Sequence, residues 1–456
     1  MSLLLLSIFA VLLALGAPIA VCLGLSSAVV IVTQGLPVSV LAQRSLNALD
    51  SSPLLAVPLF IFAASLLNAT GVTTHLFDLV RMIFGRIRGA VAQVSVFVSL
   101  IFSGVSGAAL ADIGALGAIQ INQMKAQGYR EDFAAGLTVA AATIGPIFPP
   151  SIPIIIYASV ANVSAVKLLL AGIVPALLLT ALLMAQVAIV ARVKGLPRDD
   201  VSARPRDVAK KAAISFPALL APVLLIGGLM SGYFGPTEVA GVTVAYAMLI
   251  GIFIYRSLNG RAILEALRDT VEATANILFV VATAALFAWV LTLDQVPMKA
   301  SALLLGLSEN PLVLLLLVNV LLLIVGMVLE SIAAILIIAP IVAPALTAAG
   351  VDPLQLGIVF VLNLMIGLLT PPVRMSLYMT TIITKMPISK DLKALNCGKG
   401  YDDVMVYAAV AQVLEQADEL LGTKTLRSAS QELLQVARFL ASLGQIQSPP
   451  AIVAYL

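Results

Sequence analysis

The sequence predicts an all-α polytopic membrane protein built from two inverted-topology repeats, each containing a re-entrant hairpin. Of its 456 residues, 61% are hydrophobic and only 11% are charged, whereas soluble domains carry roughly 25% charged residues. Apolar stretches of about 20 residues, the length of a membrane span, recur from Leu3 to about Thr384. The two halves of this hydrophobic region also share a pattern of glycines and prolines at one offset of 222 residues.

The first apolar stretch, Leu3 to Val32, is predicted to be an uncleaved membrane helix. No Lys or Arg precedes Arg44, whereas a signal peptide starts with positive charge and has a shorter apolar core. The whole hydrophobic region fits about ten to twelve crossings or half-crossings. The net charge of +3 is small and lies in loops, so nucleic acid is not an expected partner.

The longest polar break runs from Arg192 to Lys211 and holds seven basic and three acidic residues. Prolines within it favour a loop, and positive charge in short loops marks the cytoplasmic side. We call this segment the basic loop. It divides the chain into a first membrane repeat (1–191), the loop (192–211) and a second membrane repeat (212–387), followed by a polar amphipathic tail (388–456).

Matched glycines and prolines relate the two repeats. The offset of 222 superimposes Gly104 on Gly326, Gly145 on Gly367 and Pro149-Pro150 on Pro371-Pro372. Basic residues flank the apolar stretch of the first repeat, and acidic residues flank that of the second, so the positive-inside rule makes the repeats inverted. Each stretch returns to the side it entered from, which predicts a re-entrant hairpin with non-helical backbone at its tip. Such backbone is tolerated in a membrane only where it packs in protein or lines a polar cavity.

Each repeat therefore brings one hairpin tip and one Gly/Pro-broken helix to the middle of the membrane. Carbonyl groups exposed there can hold a cation such as sodium, and helix N-termini favour a carboxylate. Acidic side chains inside a membrane are costly and are functional candidates by default. The candidates are Asp112 and Glu330, directly after the two tips, together with Glu238, Glu272 and Asp294. For Asp294, near a helix end, a capping or interface position is favoured. The alternative is that the prolines are packed kinks and the acids cap helices.

Enzymatic activity is not predicted. Gly104-Val-Ser-Gly107 matches the nucleophile motif of rhomboid-type proteases, but that chemistry needs a histidine base. The one histidine, His75, is expected near the cytoplasmic surface. No phosphate-binding Gly-x4-Gly-Lys-Ser/Thr loop is present, so transport would be driven by a gradient or by a partner.

Three stretches resemble the large membrane subunit of TRAP transporters, the DctM-type family. They run from Ser103 to Gly117, continuing to Ser151, from Gly235 to Tyr246, and from Asn363 to Val373. The resemblance covers about residues 1 to 387. It implies an elevator-type importer of organic acids, such as C4-dicarboxylates, in the bacterial inner membrane. Sodium is the coupling ion, no other cofactor is implied, and the partners are a periplasmic solute-binding protein and a small four-helix membrane subunit.

The resemblance also assigns site residues. The implied ion-binding residues are Ser103, Gly104, Ser106, Gly145, Pro149, Gly326, Glu330, Thr370 and Pro371. The implied substrate-binding residues are Pro150, Ser151, Pro372 and Arg374.

Two departures from the family pattern leave other functions open. Arg374 stands where the family usually has Gly, and its charge either repels sodium or holds a substrate carboxylate. Asp391 to Leu456 lacks an apolar run of 18 residues, whereas the family ends with another membrane helix. The alternatives are an ion-coupled carboxylate carrier without a binding protein, and an inactive remnant or scaffold.

Overall fold

The computed structural model describes residues 1–85, 87–193, 195–198, 204–308, 310–327 and 329–369. Its regular structure in these residues is helical, apart from an isolated β-bridge between Arg88 and Arg198. Six helices are long and apolar enough to cross a membrane, and six more apolar helices have 10–17 residues. The all-α membrane class predicted from composition is therefore confirmed.

Eleven helices precede the basic loop. They are α1 (Ser2–Ala14), α2 (Ile19–Thr33), α3 (Ser39–Leu49), α4 (Ala56–Ala69), α5 (Val72–Phe84), α6 (Ala90–Ser106), α7 (Ala109–Ala126), α8 (Glu131–Ala142), α9 (Ile152–Ala161), α10 (Ala165–Ala171) and α11 (Ile173–Val193). Among the described residues, seven more helices come next. The first begins at Pro205, where proline is tolerated in the first turn of a helix, so residues 205–211 of the predicted loop are helical. The seven helices are α12 (Pro205–Met230), α13 (Pro236–Leu249), α14 (Gly260–Leu293), α15 (Val296–Leu307), α16 (Pro311–Gly326), α17 (Ser331–Ala348) and α18 (Pro353–Leu369).

The prediction of one helix from Leu3 to Val32 is wrong. Two helices, α1 and α2, cover this stretch and pack against each other. Gly16 adopts a left-handed conformation with φ of 78°, and Pro18 directly precedes α2. Proline has no backbone N–H to continue a helix, so the helix is interrupted at Gly16 and Pro18.

Contacts between distant segments define the two ends of the molecule. At the end that holds the basic loop, the Gly89 backbone N–H donates to the Pro197 carbonyl at 3.1 Å, and Ser257 donates to the Thr70 carbonyl at 3.3 Å. At the opposite end, the Thr237 hydroxyl donates to the Ser52 carbonyl at 3.0 Å. Helices α4 and α13 therefore both run towards the basic-loop end.

Helix boundaries reproduce the internal repeat. Adding 222 to the bounds of α7 gives the bounds of α17, and the same shift places α8 on the first part of α18 and α4 on the second part of α14. Helix α14 has 34 residues, a length of about 51 Å, and starts at the basic-loop end. It therefore runs away from the basic loop, whereas α4 runs towards it, and the repeats are inverted as predicted.

The broken helices bring the two repeats into contact. Helices α17 and α18 of the second repeat pack on α9 of the first. Leu369, at the end of α18, packs on a buried cluster of Ile113, Val139 and Ala142. The end of each repeat's broken helix is thus close to the other repeat. The exact division into repeats, loop and tail stays a prediction, and the tail lies outside the described residues.

Candidate functional site

The tip of the first hairpin is fixed by Gly107. Helix α6 ends at Ser106 because Gly107 adopts a left-handed conformation with φ of 67°, which glycine tolerates best. A side chain at Gly107 would overlap the Pro150 carbonyl, and the Gly107 carbonyl accepts a hydrogen bond from the Ile152 N–H at 3.2 Å. The tip therefore packs directly on the segment between α8 and α9.

That segment, residues 143–151, is the predicted helix break. Its prolines have no N–H to extend a helix, and the Pro149–Pro150 peptide bond is cis. Ser151 begins α9 by accepting a hydrogen bond from the Ile154 N–H at 3.2 Å, and its hydroxyl donates to the Pro146 carbonyl. All of these residues are buried. The structure thus brings Pro149, Pro150 and Ser151 together with the hairpin tip.

A buried carboxylate lies between the tip and the break. Asp112, in the first turn of α7, is 1% exposed, and its Oδ1 accepts a hydrogen bond from the Ser106 hydroxyl. The Ser103 hydroxyl, which donates to the Ser99 carbonyl at 2.6 Å, also interacts with Asp112. The four positions Ser103, Ser106, Asp112 and Gly145 form what we call the Asp112 cluster.

One oxygen of this carboxylate is left without a donor. Asp112 Oδ2 is buried and has no hydrogen-bond partner among the described residues. It faces Gly145 so closely that a side chain there would overlap it. Gly104, two residues before Asp112's partner Ser106, packs on Pro222 of α12. A buried carboxylate oxygen needs a cation, a proton or a hydrogen bond, so the Asp112 cluster can hold a positively charged ligand.

The second hairpin is built differently. Gly326 packs on Gly367 so tightly that a Cβ at Gly367 would lie 2.7 Å from the Gly326 backbone. Glu330 caps α17, accepting hydrogen bonds from the Ile332 N–H at 3.0 Å and the Ala333 N–H at 3.4 Å. This is the capping role that the sequence left open as an alternative. The other predicted residues of this half-site lie outside the described residues: Thr370, Pro371, Pro372 and Arg374.

Glu238 occupies an exposed position in the first turn of α13, at the start of a candidate membrane span. Acidic residues are favoured there because the N–H groups of a helix N-terminus carry partial positive charge. The Gly-Pro-Thr-Glu stretch is thus a helix start at the end opposite the basic loop. The depth of Glu238 in the membrane stays a prediction.

His75 lies apart from Ser106. Its ring stacks on Tyr255 with 6.1 Å between centroids, and its carbonyl accepts a hydrogen bond from Ser215. Both partners belong to segments at the basic-loop end, where the histidine was expected. The histidine base that the protease alternative requires is therefore not positioned at Ser106, whose hydroxyl donates to Asp112 instead.

Sequence reasoning missed a set of buried amides. Asn363 of α18 donates to Asn319 of α16 and to the Val359 carbonyl, and Gln120 of α7 donates to Ser95 and Ser99 of α6. These side chains are neutral, so they do not stand out among the intramembrane acids. A polar residue such as Asn319 within an otherwise aliphatic helix was the available signal.

The fold and the site define a class of protein. Inverted repeats whose hairpins and broken helices meet around buried polar groups are typical of secondary transporters. A family model described as the DctM component of the tripartite ATP-independent periplasmic transporters matches residues 6–397. The chain belongs to this family. The match ends ten residues beyond the boundary expected from the resemblance.

Similar proteins agree with this assignment. The sialic acid TRAP transporter large permease protein SiaM of Vibrio cholerae is 40% identical over 79% of this chain and 84% of its own length. The C4-dicarboxylate TRAP transporter large permease protein DctM of Pseudomonas aeruginosa is 38% identical over 82% and 87%. The crystal structure of the Alcanivorax borkumensis YdaH transporter has the same fold, with a TM-score of 0.59 at 17% identity over 82% of this chain and 86% of that one.

Proposed function

We propose that this chain is the large membrane subunit of a transporter that imports an organic acid together with sodium across a bacterial inner membrane. The observation that carries the proposal is the Asp112 cluster. It places a buried carboxylate, with one oxygen lacking a donor, between a hairpin tip and a broken helix. Family membership and the inverted repeats support transport as the activity.

Sodium fits the chemistry of this cluster. The groups around Asp112 are hydroxyl, carboxylate and backbone oxygens, which are the ligands that hard cations prefer. An unpaired buried charge is strongly destabilising, and a bound cation would compensate it. We assign Ser103, Ser106, Asp112 and Gly145 to one ion site, with the adjacent backbone of Gly104 and Pro149. Gly326, Glu330, Thr370 and Pro371 would form the second.

The substrate is an organic anion. Among the relatives, one is named for sialic acid and another for C4-dicarboxylates, and both substrates are carboxylates. Pro150, Ser151, Pro372 and Arg374 are the proposed substrate contacts. Movement of the hairpins together with α9 against the remaining helices would give an elevator mechanism.

Two partners complete the proposed transporter. A periplasmic binding protein would select and deliver the substrate, and a small four-helix membrane subunit would sit beside this chain. The family description names the transporter as tripartite, which supports both partners. A carrier of the same fold that needs no binding protein is the rival proposal.

Thermal unfolding tests the ion site without substrate or partner. The purified chain is melted in detergent in sodium, potassium and choline chloride at equal ionic strength. Ligand binding to the folded state adds about 1.4 kcal/mol of stability per tenfold excess over the dissociation constant, so sodium alone should raise the melting temperature. Asp112→Asn should abolish this rise. Glu238→Gln, which neutralises an exposed acid elsewhere, should retain it.

A second experiment tests transport. The chain is reconstituted into liposomes with the small subunit, with and without the binding protein, and uptake of sialic acid and succinate is measured under a sodium gradient. Uptake that needs the binding protein supports the proposal, and uptake without it supports the rival carrier. If sodium does not raise the melting temperature and no uptake is measured, the chain is an inactive remnant. Arg374→Gly should then restore sodium binding if the arginine repels the ion.

A further inference from the structure

A buried glutamine joins the two arms of the first hairpin far from its tip. Gln120 of α7 is 1% exposed. Its side-chain amide donates to the Ser95 carbonyl at 3.2 Å and to the Ser99 hydroxyl at 2.9 Å, both on α6. We call this contact the Gln120 bridge. Among the described residues, the other side-chain hydrogen bond between the arms is that of Ser106 with Asp112 at the tip.

The Gln120 bridge leads to the Asp112 cluster along one face of α6. The Ser99 carbonyl accepts the hydrogen bond from the Ser103 hydroxyl at 2.6 Å, and Ser103 interacts with Asp112. Ser99 and Ser106 are seven residues apart, about 10 Å along a helix. Gln120 therefore does not touch the tip, and any effect it has on the tip is transmitted through Ser99 and Ser103.

The second hairpin has no counterpart of this bridge. The offset of 222 places Gln120 on Val342, Ser99 on Leu321 and Ser95 on Leu317, so three polar partners become three aliphatic side chains. In α17 such side chains are buried along most of the helix. Helix α7 has six Leu, Ile or Met residues and α17 has eight Leu, Ile or Val residues, and a Cβ at Gly114 of α7 would contact nothing within 4 Å. Fewer aliphatic side chains on α7 are thus available to set the register of the first hairpin.

We propose that Gln120 is a positioning residue for the ion site at the tip of the first hairpin. Its amide fixes the register of α6 against α7, and that register holds Ser103 and Ser106 on the Asp112 carboxylate. The proposal rests on the proposed function for the identity of the ion. The bridge itself, and its effect on the tip, can be tested without sodium.

The test compares Gln120→Leu with a matched variant on the same hairpin. Gln93 of α6 is also buried, at 5% exposure, and its amide donates at 2.7 Å to the Met184 carbonyl on α11 rather than to the other arm. Both variants remove buried amide hydrogen bonds, so both should lower the melting temperature without sodium. Only Gln120→Leu should raise the sodium concentration that gives half of the melting shift, by about tenfold, which corresponds to about 1.4 kcal/mol.

Hydrogen exchange followed by mass spectrometry supplies the sodium-independent measurement. In sodium-free buffer, Gln120→Leu should speed exchange of the backbone amides of residues 103–112, and Gln93→Leu should leave them unchanged. Ser99→Ala removes one of the two acceptors and should shift both measurements in the same direction by less. This milder variant keeps the test valid if Gln120→Leu does not fold.

The possible results separate the two proposals. If Gln120→Leu and Ser99→Ala match Gln93→Leu in both sodium dependence and exchange, Gln120 is a structural residue only and the inference is overturned. If the wild-type chain shows no sodium effect, the proposed function fails, and the exchange of residues 103–112 still decides whether Gln120 positions the tip.

Discussion

The two hairpins have nearly the same length and position in their repeats, but different interactions hold their arms together. In the first, a serine face on α6 meets Asp112 and Gln120 of α7 through hydrogen bonds. In the second, α17 is apolar enough to count as a membrane span, whereas α7 is not. The second tip depends on glycine packing and on the Glu330 cap.

This contrast shows which features of a repeat are tied to its backbone and which are free to change. The helix bounds and the matched glycines are common to both repeats because both repeats have the same backbone fold. Asp112 and Gln120 correspond to Ala334 and Val342, so polar chemistry is concentrated in one hairpin. An ion site in the first hairpin would use side chains, and one in the second would depend more on backbone carbonyls.

The largest loss of stability is expected from a substitution at the tip of the first hairpin, compared with a substitution in one of its arms. Gly107→Ala adds a side chain at a left-handed position, which costs about 1–2 kcal/mol, and that side chain would overlap the Pro150 carbonyl, adding about 1–3 kcal/mol. Gly114→Ala, on the same hairpin in open space, should instead stabilise α7 by up to about 1 kcal/mol. Melting temperatures of the two variants measure the difference. Equal effects would show that the tip does not depend on its contact with the break.

The second hairpin makes its buried polar contact with α18, through Asn319, and removing one partner of that contact should lower the stability. Asn319→Leu removes one of the two acceptors of the buried Asn363 amide, which costs about 1–3 kcal/mol, whereas the double variant Asn319→Leu/Asn363→Leu should recover most of the loss. The melting temperatures of both single variants and the double variant form the measurement. Additive losses would mean that the two amides do not act as a pair.

A smaller effect is expected from exchanging caps between the repeats. Glu330 caps α17, and the equivalent residue, Ala108, precedes α7 without a side-chain cap. Glu330→Ala should therefore lower stability by about 1 kcal/mol, and Ala108→Ser should raise it by a similar or smaller amount. A loss of sodium-dependent stabilisation in Glu330→Ala beyond this cost would indicate that Glu330 also binds an ion.

Much of the fold could be predicted from sequence because glycines, prolines and loop charges act locally. The offset between Gly104 and Gly326 predicted the repeats, and the basic loop predicted their orientation. The break at Gly16 and Pro18 was missed because the apolar run continues through it. The partners of Asp112 could be suspected from proximity in sequence, but the contact of Gly145 with its carboxylate and the Asn319–Asn363 pair arise only when distant helices pack.

The smallest effect is expected at the end opposite the basic loop, outside both hairpins. Asp294 follows α14, accepts a hydrogen bond from the Ser2 backbone N–H at 2.7 Å and lies 3.5 Å from the N-terminal amine. The hydrogen bonds from Ser2 hold the pKa of this carboxyl below its ordinary value, with a smaller contribution from Lys299. A lowered pKa in the folded state means that the ionised carboxylate stabilises the fold at neutral pH. That contribution is lost as the pH falls below about 4, the ordinary pKa of an aspartate.

Asp294→Asn should therefore lower the melting temperature slightly at pH 7, and the difference from wild type should shrink between about pH 4 and pH 2 as the carboxyl is protonated. The pair is partly exposed, so salt should also reduce the difference. Melting curves over this pH range at low and high ionic strength measure both trends. If the difference in melting temperature between Asp294→Asn and wild type stays constant with pH, Asp294 acts through packing rather than charge. The start of α1 and the end of α14 would then be held together by apolar packing, like the arms of the second hairpin.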